Sequence, residues 1–287
     1  MTIERIHHYP RVLSIAGSDS GGGAGIQADL KTFAALGCYG MTAITALTAQ
    51  NTQGVRSIHG VPLEMLTDQI DAVLEDIGVD AVKIGMLHSP DIARTVAQAI
   101  DRHQMRRVVF DPVMVATSGA KLIDDAAMSV LVSEMFPRAA LITPNLDEAA
   151  LLVGRALHTV DDMVFAGQTL LSRGANAVLL KGGHLPGDSV VDVLLINDAS
   201  SATGVQVVRM DATRIATHNT HGTGCTLSSA IAANLALGYP LVEAVTKARD
   251  FVRAALLSGA SVCTGQGSGP LNHGFGPVPM VRVGRDS

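Results

Sequence analysis

Residues 217–229 (THNTHGTGCTLSS) combine small residues, hydroxyls and one thiol directly before an Ala- and Leu-rich stretch that predicts a helix. Thr220 and the Gly-Thr-Gly run at 222–224 bring several backbone N–H groups to the start of that helix, which is a natural site for an anion. Cys225 would lie in the first turn, where the helix dipole lowers the pKa of a thiol from about 8.5. From the residues alone, a small buried cysteine at a tight turn is the favoured interpretation.

A second glycine-rich segment, residues 17–29 (GSDSGGGAGIQAD), follows a predicted strand and opens a predicted helix. Glycines at such a position let the backbone approach a ligand closely. The alternative is a flexible strand-to-helix turn without a ligand. In that interpretation Asp29, two turns into the helix, is a solvated surface acid.

Several common cofactor motifs are missing from the sequence. It contains no G-x-x-x-x-G-K-[ST], and residues 21–25 do not fit G-x-G-x-x-G, so a P-loop or a dinucleotide site has no support. It contains neither H-E-x-x-H nor a paired C-x-x-C. His218 and His221 are three residues apart but have no third ligand in view, so we interpret them as loop histidines and expect no zinc site.

Short apolar runs alternate with helix-like stretches along the chain. Strands are predicted at 11–17, 41–49, 81–85, 107–110, 139–142 and 177–180, followed by an antiparallel pair at 189–196 and 205–210. Helices are predicted at 24–36, 62–77, 91–103, 224–237 and 240–257. Such β-α-β units predict a mostly parallel sheet with helices on both faces. In sheets of this kind ligands bind beyond the carboxyl ends of the strands, which is where the reactive residues fall.

The composition fits one layered α/β protein. Of the 287 residues 47% are hydrophobic and only 3% aromatic, as in sheets that are buried on both faces. A net charge of −5 argues against nucleic acid as a partner, and the apolar stretches are too short for a membrane span. Three cysteines, an odd number, favour a reduced, cytoplasmic protein. We expect an N-terminal extension at 1–10 without the features of a signal peptide, a single domain at 11–275 and a C-terminal tail at 276–287.

Eight blocks, in order, resemble the hydroxymethylpyrimidine/phosphomethylpyrimidine kinases of the ribokinase-like superfamily. They are AGSDSGGGAGIQADLKTF (16–33), ITALTAQNTQGV (44–55), VKIGML (82–87), DPVMVATSG (111–119), TPNLDEA (143–149), LLKGGH (179–184), HNTHGTGCTLSSA (218–230) and GSGPLNH (267–273). The resemblance implies a three-layer α/β/α ribokinase-like fold with a mostly parallel central sheet. It further implies ATP as co-substrate and a pyrimidine alcohol of thiamine biosynthesis, together with its monophosphate, as phosphoryl acceptors.

The resemblance assigns the catalytic loop to residues 222–225. Phosphoryl transfer depends on positioning and charge neutralisation more than on covalent chemistry. In the family, backbone N–H groups matching Gly222, Thr223 and Gly224 cradle the transferring group. Cys225 stands where the wider superfamily usually has an aspartate, and it would accept the proton of the substrate hydroxyl.

The resemblance also implies a site for Mg²⁺ and ATP. Glu148, in an N-x-x-E element, would help to hold Mg²⁺, usually through water, and Asp111 matches a second position near the metal and the phosphates. The implied ATP-binding residues are Asp111, Thr143, Asn145, Lys181 and Thr217. Without the resemblance, Asn145 and Glu148 could simply cap a helix, and Lys181 could be a surface lysine.

For the pyrimidine, the family pattern implies a set of five residues: Gly17, Asp29, Gln50, Met86 and Val113. A glutamine amide matches the donors and acceptors of an aminopyrimidine edge, and an apolar residue can sandwich the ring. Thr48 differs from the more apolar residue expected beside Gln50. Residues 113–119 resemble a mobile flap over the phosphates. Lys121 lies near it in sequence, although no basic group is assigned to the phosphate of the second substrate.

Three other functions compete with this interpretation. A pyridoxine/pyridoxal kinase shares the fold and the Mg·ATP apparatus, but Cys225 and the QADLKTF and AQNTQGV blocks favour the pyrimidine. A sugar kinase is disfavoured because GTGC replaces Gly-x-Gly-Asp. A catalytically silent binding protein is disfavoured because the catalytic and phosphate-binding positions are all retained. Members of the family are commonly homodimers, so the resemblance also implies a dimer.

Overall fold

A computed structural model describes residues 7–114, 125–201 and 203–284. The strands are β1 (His7–His8), β2 (Arg11–Ala16), β3 (Tyr39–Ile44), β4 (Ala46–Asn51), β5 (Gly54–Gly60), β6 (Ala81–Ile84), β7 (Val108–Phe110), β8 (Leu141–Ile142), β9 (Ala177–Leu180), β10 (Ser189–Asn197), β11 (Val205–Thr213) and β12 (Val283–Gly284). The helices are α1 (Gly25–Ala35), α2 (Leu63–Asp76), α3 (Pro90–Arg102), α4 (Asp125–Met135), α5 (Leu146–Val153), α6 (Val160–Ser172), α7 (Thr223–Ala236) and α8 (Leu241–Gly259).

Eight strands form the central sheet in the order β11-β10-β9-β8-β7-β6-β2-β3. The six strands from β9 to β3 run parallel, whereas β10 is antiparallel to both β9 and β11. The predicted mostly parallel sheet and the antiparallel pair are therefore confirmed. Because the parallel strands point the same way, their carboxyl ends share one edge of the sheet.

Each face of the sheet carries its own apolar core, because successive side chains of a strand point to opposite faces. Leu13 and Phe110 join a cluster with residues of α2 to α6 on one face, whereas Val12 and Val109 join a second cluster with residues of α1, α7 and α8 on the other. The parallel strands are apolar on both faces for this reason. The three-layer α/β/α architecture is confirmed.

Local sequence signals start several of the helices. Ser89 caps α3 by accepting the N–H of Ile92, and Pro90 occupies the first position of the helix. Asn145 and Glu148 form a reciprocal capping box at the start of α5. α7 begins differently, because its cap is Gly222 in the left-handed conformation, without a side-chain hydrogen bond.

The single strand predicted at 41–49 is wrong. The chain bends at Thr45, whose N–H donates to the carbonyl of Ala16 and whose hydroxyl donates to the carbonyl of Met86. β3 therefore stays in the central sheet, while β4 leaves it and pairs with β5 in a separate two-stranded sheet. β5 was not predicted, because every one of its residues is exposed and no apolar face marks it.

The described ends of the chain lie against each other. β1 pairs antiparallel with β12, and the N–H groups of Val278 and Val281 donate to the carbonyls of Ala35 and Gly37. The residues expected to form an extension and a tail thus share a small two-stranded sheet, while the domain boundaries themselves stay a prediction. Among the helices in the described part of the chain, none is long and apolar enough to cross a membrane.

Candidate active site

Five of the residues singled out in the sequence follow the carboxyl ends of five parallel strands. Gly17 comes directly after β2, Asp111 after β7, Thr143 after β8 and Lys181 after β9, while Met86 stands two residues beyond β6. Adjacent strands in this set are hydrogen-bonded neighbours. The sheet therefore places these residues along one edge, as its β-α-β units predict.

The loop before α7 presents backbone N–H groups at this edge. The N–H of Thr223 donates to the carbonyl of Thr220 at 3.2 Å, and the helical bonds begin where Thr226 donates to Gly222 at 2.8 Å. The N–H groups of Gly224 and Cys225 consequently have no acceptor within the helix. The start of α7 can thus bind an anion.

Gly222 is required at this point for two reasons. Its φ is +84°, which favours glycine, and a Cβ added to it would lie 1.8 Å from the carbonyl oxygen of Gly23. The two glycine-rich segments therefore touch through their backbones. Residues 222–225, called the anion loop below, have their shape because the N-terminal loop packs directly against them.

Cys225 is half-buried in the first turn of α7 and accepts a hydrogen bond from the N–H of Gly25. Burial raises the pKa of its thiol above the usual value, and the positive charge of Lys83 only partly opposes this effect. The expectation that the helix dipole lowers this pKa is therefore wrong in its direction. Loss of water around the sulfur outweighs the favourable charges.

Asp111 and Lys181 form a buried ion pair beside the anion loop. Lys181 Nζ lies 2.7 Å from Asp111 Oδ1, which also accepts the hydroxyl of Thr143 at 2.9 Å. Burial alone would raise the pKa of Asp111, but Lys181 and Lys83 hold it below its usual value. A Cβ on Gly224 would lie 3.3 Å from Lys181 Nζ, so the pair stands next to the N–H groups of the loop. The surface-lysine interpretation of Lys181 is wrong.

Glu148 is a second buried acid near this pair. It accepts the N–H of Asn145 at 2.8 Å, and Asn145 Oδ1 accepts the N–H of Glu148 in return. Burial raises the pKa of Glu148 to about 7; Lys181 opposes this shift and Asp111 adds to it. The capping interpretation is confirmed. Because the effect of burial exceeds that of Lys181, the positive charge near Glu148 does not fully compensate the burial of its carboxylate.

Asp111 and Glu148 suit Mg²⁺, since it prefers oxygen ligands and keeps several waters, so that one or two carboxylates suffice. A cation would also supply the charge that the buried Glu148 lacks. Among the described residues no group of three or more His, Cys, Asp or Glu side chains could hold a metal.

The N-terminal glycine loop cannot bind phosphate, because Asp19 already fills it. One carboxylate oxygen of Asp19 accepts the N–H of Gly21 at 2.8 Å, and the other accepts those of Gly23 and Ala24 at 3.0 and 2.8 Å. Asp19 also pairs with His221 at 2.9 Å. The loop therefore carries its own anion, and these N–H groups are not open to a phosphate.

Asp29 has no exposed surface, so its interpretation as a solvated surface acid is wrong. Both of its oxygens contact Lys83 Nζ, at 2.8 and 2.9 Å, and the hydroxyls of Ser14 and Ser229 donate to it at 2.5 and 2.6 Å. Ser229 lies one turn beyond Cys225 in α7. The Asp29–Lys83 pair thus joins α1, α7 and the sheet, and a direct contact of Asp29 with a ligand stays a prediction that would need one of these partners to move.

The other residues expected around the pyrimidine lie near the two loops. A Cβ on Gly17 would lie 3.0 Å from the terminal carbon of Met86, so glycine lets this methionine approach the end of β2. Gln50, in β4, contacts Thr48 and His221. Val113 is partly exposed just after β7, and its N–H donates to the carbonyl of Asp111. Residues 115–119 of the expected flap, and Lys121, lie outside the described residues.

Thr217 anchors the approach to the anion loop. Its hydroxyl donates to the carbonyl of Ala260 at 3.3 Å and accepts the N–H of Asn219 at 3.1 Å. These contacts tie the segment before the loop to the end of α8. Its contact with ATP stays a prediction.

Three residues of this region were not predicted from the sequence: Asp19, Lys83 and His221. Lys83 had a visible signal, because it is a charged residue inside the apolar strand β6 and therefore needs a buried partner. The partners Asp19 and His221 stand 202 positions apart, so no local pattern connects them.

Comparisons with known proteins identify the family of the chain. A model of the phosphomethylpyrimidine kinase family matches residues 19–272. The chain is 50% identical over 262 residues to a hydroxymethylpyrimidine/phosphomethylpyrimidine kinase of Rhizobium meliloti, which covers 91% of this chain and 96% of that protein. A crystal structure of phosphomethylpyrimidine kinase from Clostridium difficile has a TM-score of 0.74 at 43% identity, covering 86% of this chain and 99% of that one. An ADP complex of Bacillus subtilis pyridoxal kinase has a TM-score of 0.83 at 38% identity, covering 93% and 98%.

Proposed function

The chain belongs to the phosphomethylpyrimidine kinase family, and we propose that it phosphorylates 4-amino-5-hydroxymethyl-2-methylpyrimidine and then its monophosphate, with ATP as donor. The observation that carries this proposal is the anion loop at 222–225, which stands beside the Asp111–Lys181 pair at the carboxyl edge of the sheet. The names of the relatives support the substrate. The reaction places the chain in thiamine biosynthesis, as the name of a bifunctional thiamine biosynthesis relative supports.

In the proposed reaction the backbone of the loop binds the transferring phosphoryl group, and the thiol of Cys225 acts on the acceptor hydroxyl. The N–H groups of Gly224 and Cys225 would bind the oxygens of the transferring phosphoryl group, where negative charge is concentrated. Cys225, as thiolate, would take the proton of the substrate hydroxyl. The hydroxyl oxygen would then attack the γ-phosphorus while the bond from this phosphorus to the β-phosphate oxygen breaks, so that ADP leaves. Lys181 lies beside Gly224 and would neutralise the phosphates.

ATP would lie along the ends of β7, β8 and β9, with Asp111, Thr143, Asn145, Lys181 and Thr217 as its proposed binding residues. The similarity to a pyridoxal kinase in complex with ADP supports the use of ATP. Asp111 and Glu148 would hold Mg²⁺, which when bound would neutralise the negative charge of the phosphates. The burial of both acids supports this assignment.

The pyrimidine would lie between the two glycine loops and β4. Gln50 would read the amino edge of the ring, Met86 and Val113 would flank its faces, and Gly17 would let the backbone approach. Asp29 would hold the elements of the site together through its bonds to Ser229 and Lys83. This arrangement would give a flat apolar slot with one polar edge, as an aminopyrimidine requires.

We also propose that the protein is a cytoplasmic homodimer. Leu47, Val55 and Ile58, each 46–48% exposed, lie on the two-stranded sheet of β4 and β5. A two-stranded sheet is marginally stable alone in water, and exposed apolar side chains favour association. Sedimentation equilibrium tests the dimer, and a monomer at micromolar concentration would refute it.

An ADP-release assay tests the substrate. Hydroxymethylpyrimidine, its monophosphate, pyridoxal and ribose are compared at equal concentrations with and without Mg²⁺. We expect turnover of the first two only in the presence of Mg²⁺, with pyridoxal a weaker substrate and ribose inert. A preference for pyridoxal by a large margin would refute the substrate but leave the kinase fold intact.

A further inference from the structure

Asp192 is a buried acid in the apolar strand β10. Leu194, two residues further on, joins the core between the sheet and α8. Because alternate residues of a strand point to the same face, Asp192 also points toward α8. Only 7% of the residue is exposed. A buried charge needs partners that replace the water it has lost.

The two carboxylate oxygens of Asp192 have different partners. One accepts a hydrogen bond from Arg249 Nε of α8 at 2.8 Å, and the same guanidinium donates to the carbonyl of Met210 in β11 at 2.8 Å. The other accepts the N–H of Gly182 at 2.9 Å. Arg249 thus neutralises the acid and holds it in place, while the second oxygen reaches the residue directly after Lys181.

Lys181 stands where β9 leaves β10. The last residue of β9 that pairs with β10 is Leu180, which lies opposite Val193. One residue later the N–H of Lys181 donates at 3.0 Å to the carbonyl of Pro144, in the segment that follows β8. The chain therefore turns from one neighbouring strand toward the other at Lys181.

Asp192 ties the chain to β10 beyond this point. A Cβ on Gly182 would lie 1.8 Å from the carbonyl oxygen of Val191, so glycine allows this close approach. The N–H of Gly182 belongs to the same planar peptide unit as the carbonyl of Lys181. Its bond to Asp192 therefore fixes the orientation of that unit. From this backbone the ammonium of Lys181 lies 2.7 Å from Asp111 Oδ1.

We propose that Asp192, held by Arg249, is a positioning residue for ATP: it fixes the backbone at Gly182 and thereby keeps the ammonium of Lys181 at the phosphates. The proposal rests on the proposed function, in which Lys181 neutralises these phosphates. A lysine side chain is a flexible four-carbon stem, so its ammonium stays in one place only when its backbone does.

The test compares two double variants that both lack the ion pair. Arg249→Met with Asp192→Asn keeps an acceptor oxygen for the N–H of Gly182, whereas Arg249→Met with Asp192→Leu has a side chain of similar shape and no acceptor. Neither leaves a buried charge without its partner. Calorimetric titration with ATP and Mg²⁺, without an acceptor substrate, measures binding. We expect the Kd for ATP to be about threefold to tenfold higher for the leucine variant, the effect of losing one hydrogen bond.

The same pair is then made in a Lys181→Met background. If Asp192 acts through Lys181, the difference in Kd between the asparagine and leucine variants should disappear there, because coupled residues are not additive. The KM for hydroxymethylpyrimidine should be alike in the two variants, since the proposed pyrimidine site lies at β2 and β4. A merely structural role would change both substrates and would persist without the lysine.

Equal ATP binding by the two variants, or a difference that survives Lys181→Met, would overturn the proposal. A wild-type enzyme that binds ATP but does not phosphorylate hydroxymethylpyrimidine would overturn the proposed function and leave this test intact. A crystal structure of the wild-type enzyme with a non-hydrolysable ATP analogue needs no variant to fold. Lys181 Nζ on a phosphate oxygen, with the bond between Gly182 and Asp192 kept, supports the proposal, and loss of either contact refutes it.

Discussion

The burial of Cys225 predicts how the rate depends on pH. An ordinary thiol has a pKa of about 8.5, and burial raises the pKa of Cys225 further. At pH 7 the protonated thiol therefore predominates, and the thiolate, which is the proposed base, is the minor form. We therefore expect kcat/KM for hydroxymethylpyrimidine to rise between pH 6.5 and 8.5, by up to about tenfold per pH unit where the protonated thiol predominates.

The size of the thiol's contribution follows from general base catalysis, which is worth about 10²–10⁴-fold, or roughly 3–5 kcal/mol of activation free energy. Cys225→Ala should lose that much in kcat and still bind ATP, because the N–H groups of the loop remain. Cys225→Asp supplies a base whose usual pKa, about 3.9, is far below that of a thiol, so that it should be ionised over more of this pH range even when burial raises its pKa. Its profile should thus be much flatter.

Single-turnover assays with both proteins make phosphoryl transfer the observed step. Any titration of ATP affects both rates equally, so it cancels in the ratio of the wild-type rate to the Cys225→Asp rate. The pH dependence of this ratio therefore reports on the titration of the group at position 225. Cys263→Ala, which removes an exposed cysteine, is the matched control and should behave as wild type. A ratio that does not change between pH 6.5 and 8.5 would refute the thiolate as base.

Three further predictions concern the surroundings of this loop. Lys83→Met leaves Asp29 buried without its counter-charge and should lower the free energy of unfolding by about 3–5 kcal/mol. The double variant with Asp29→Asn should recover at least about 1 kcal/mol of this loss. Urea unfolding measures both variants, and simple additivity of the two single effects would contradict the pairing. Gly222→Ala should lower kcat at least tenfold, because the added Cβ clashes with the N-terminal loop. The control is Gly238→Ala, at a similar positive φ of 91° but in open space, which should lose only about 1–2 kcal/mol of stability. Equal kcat values for the two variants would argue against the clash. Glu148→Gln should raise the Mg²⁺ concentration for half-maximal rate about 10–100-fold, and an unchanged requirement in a metal titration would remove Glu148 from the metal site.

Much of the site was predictable because it depends on where strands end. The apolar runs at 81–85, 107–110 and 177–180 predict buried parallel strands, and parallel strands place their carboxyl ends together. The positions of Asp111 and Lys181 just after two of these runs are therefore enough to place both residues at one edge of the sheet. The helix start before Cys225 is equally local, because its Gly-Thr-Gly run leaves N–H groups without helical acceptors.

Other features could not be predicted, because they depend on partners far apart in the chain. Asp29 has the helical position of a surface acid, yet α7 covers it and Lys83 neutralises it. Asp19 fills its own glycine loop and meets His221 from the opposite end of the chain. Both are buried charges, whose partners are set by packing and not by spacing.

The sequence by itself thus determined the mostly parallel α/β fold and marked the helix start before Cys225, because strand and helix positions follow from local periodicity and from the residues at each junction. The kind of chemistry was implied by the resemblance of the eight blocks to a kinase family. Only the tertiary structure decided which glycine loop is open to an anion and which way the pKa of Cys225 moves. Loop occupancy depends on Asp19 folding back onto its own N–H groups. The pKa depends on how much water the packing of α1 against α7 removes from the sulfur, because desolvation opposes the charged form more strongly than a helix start favours it.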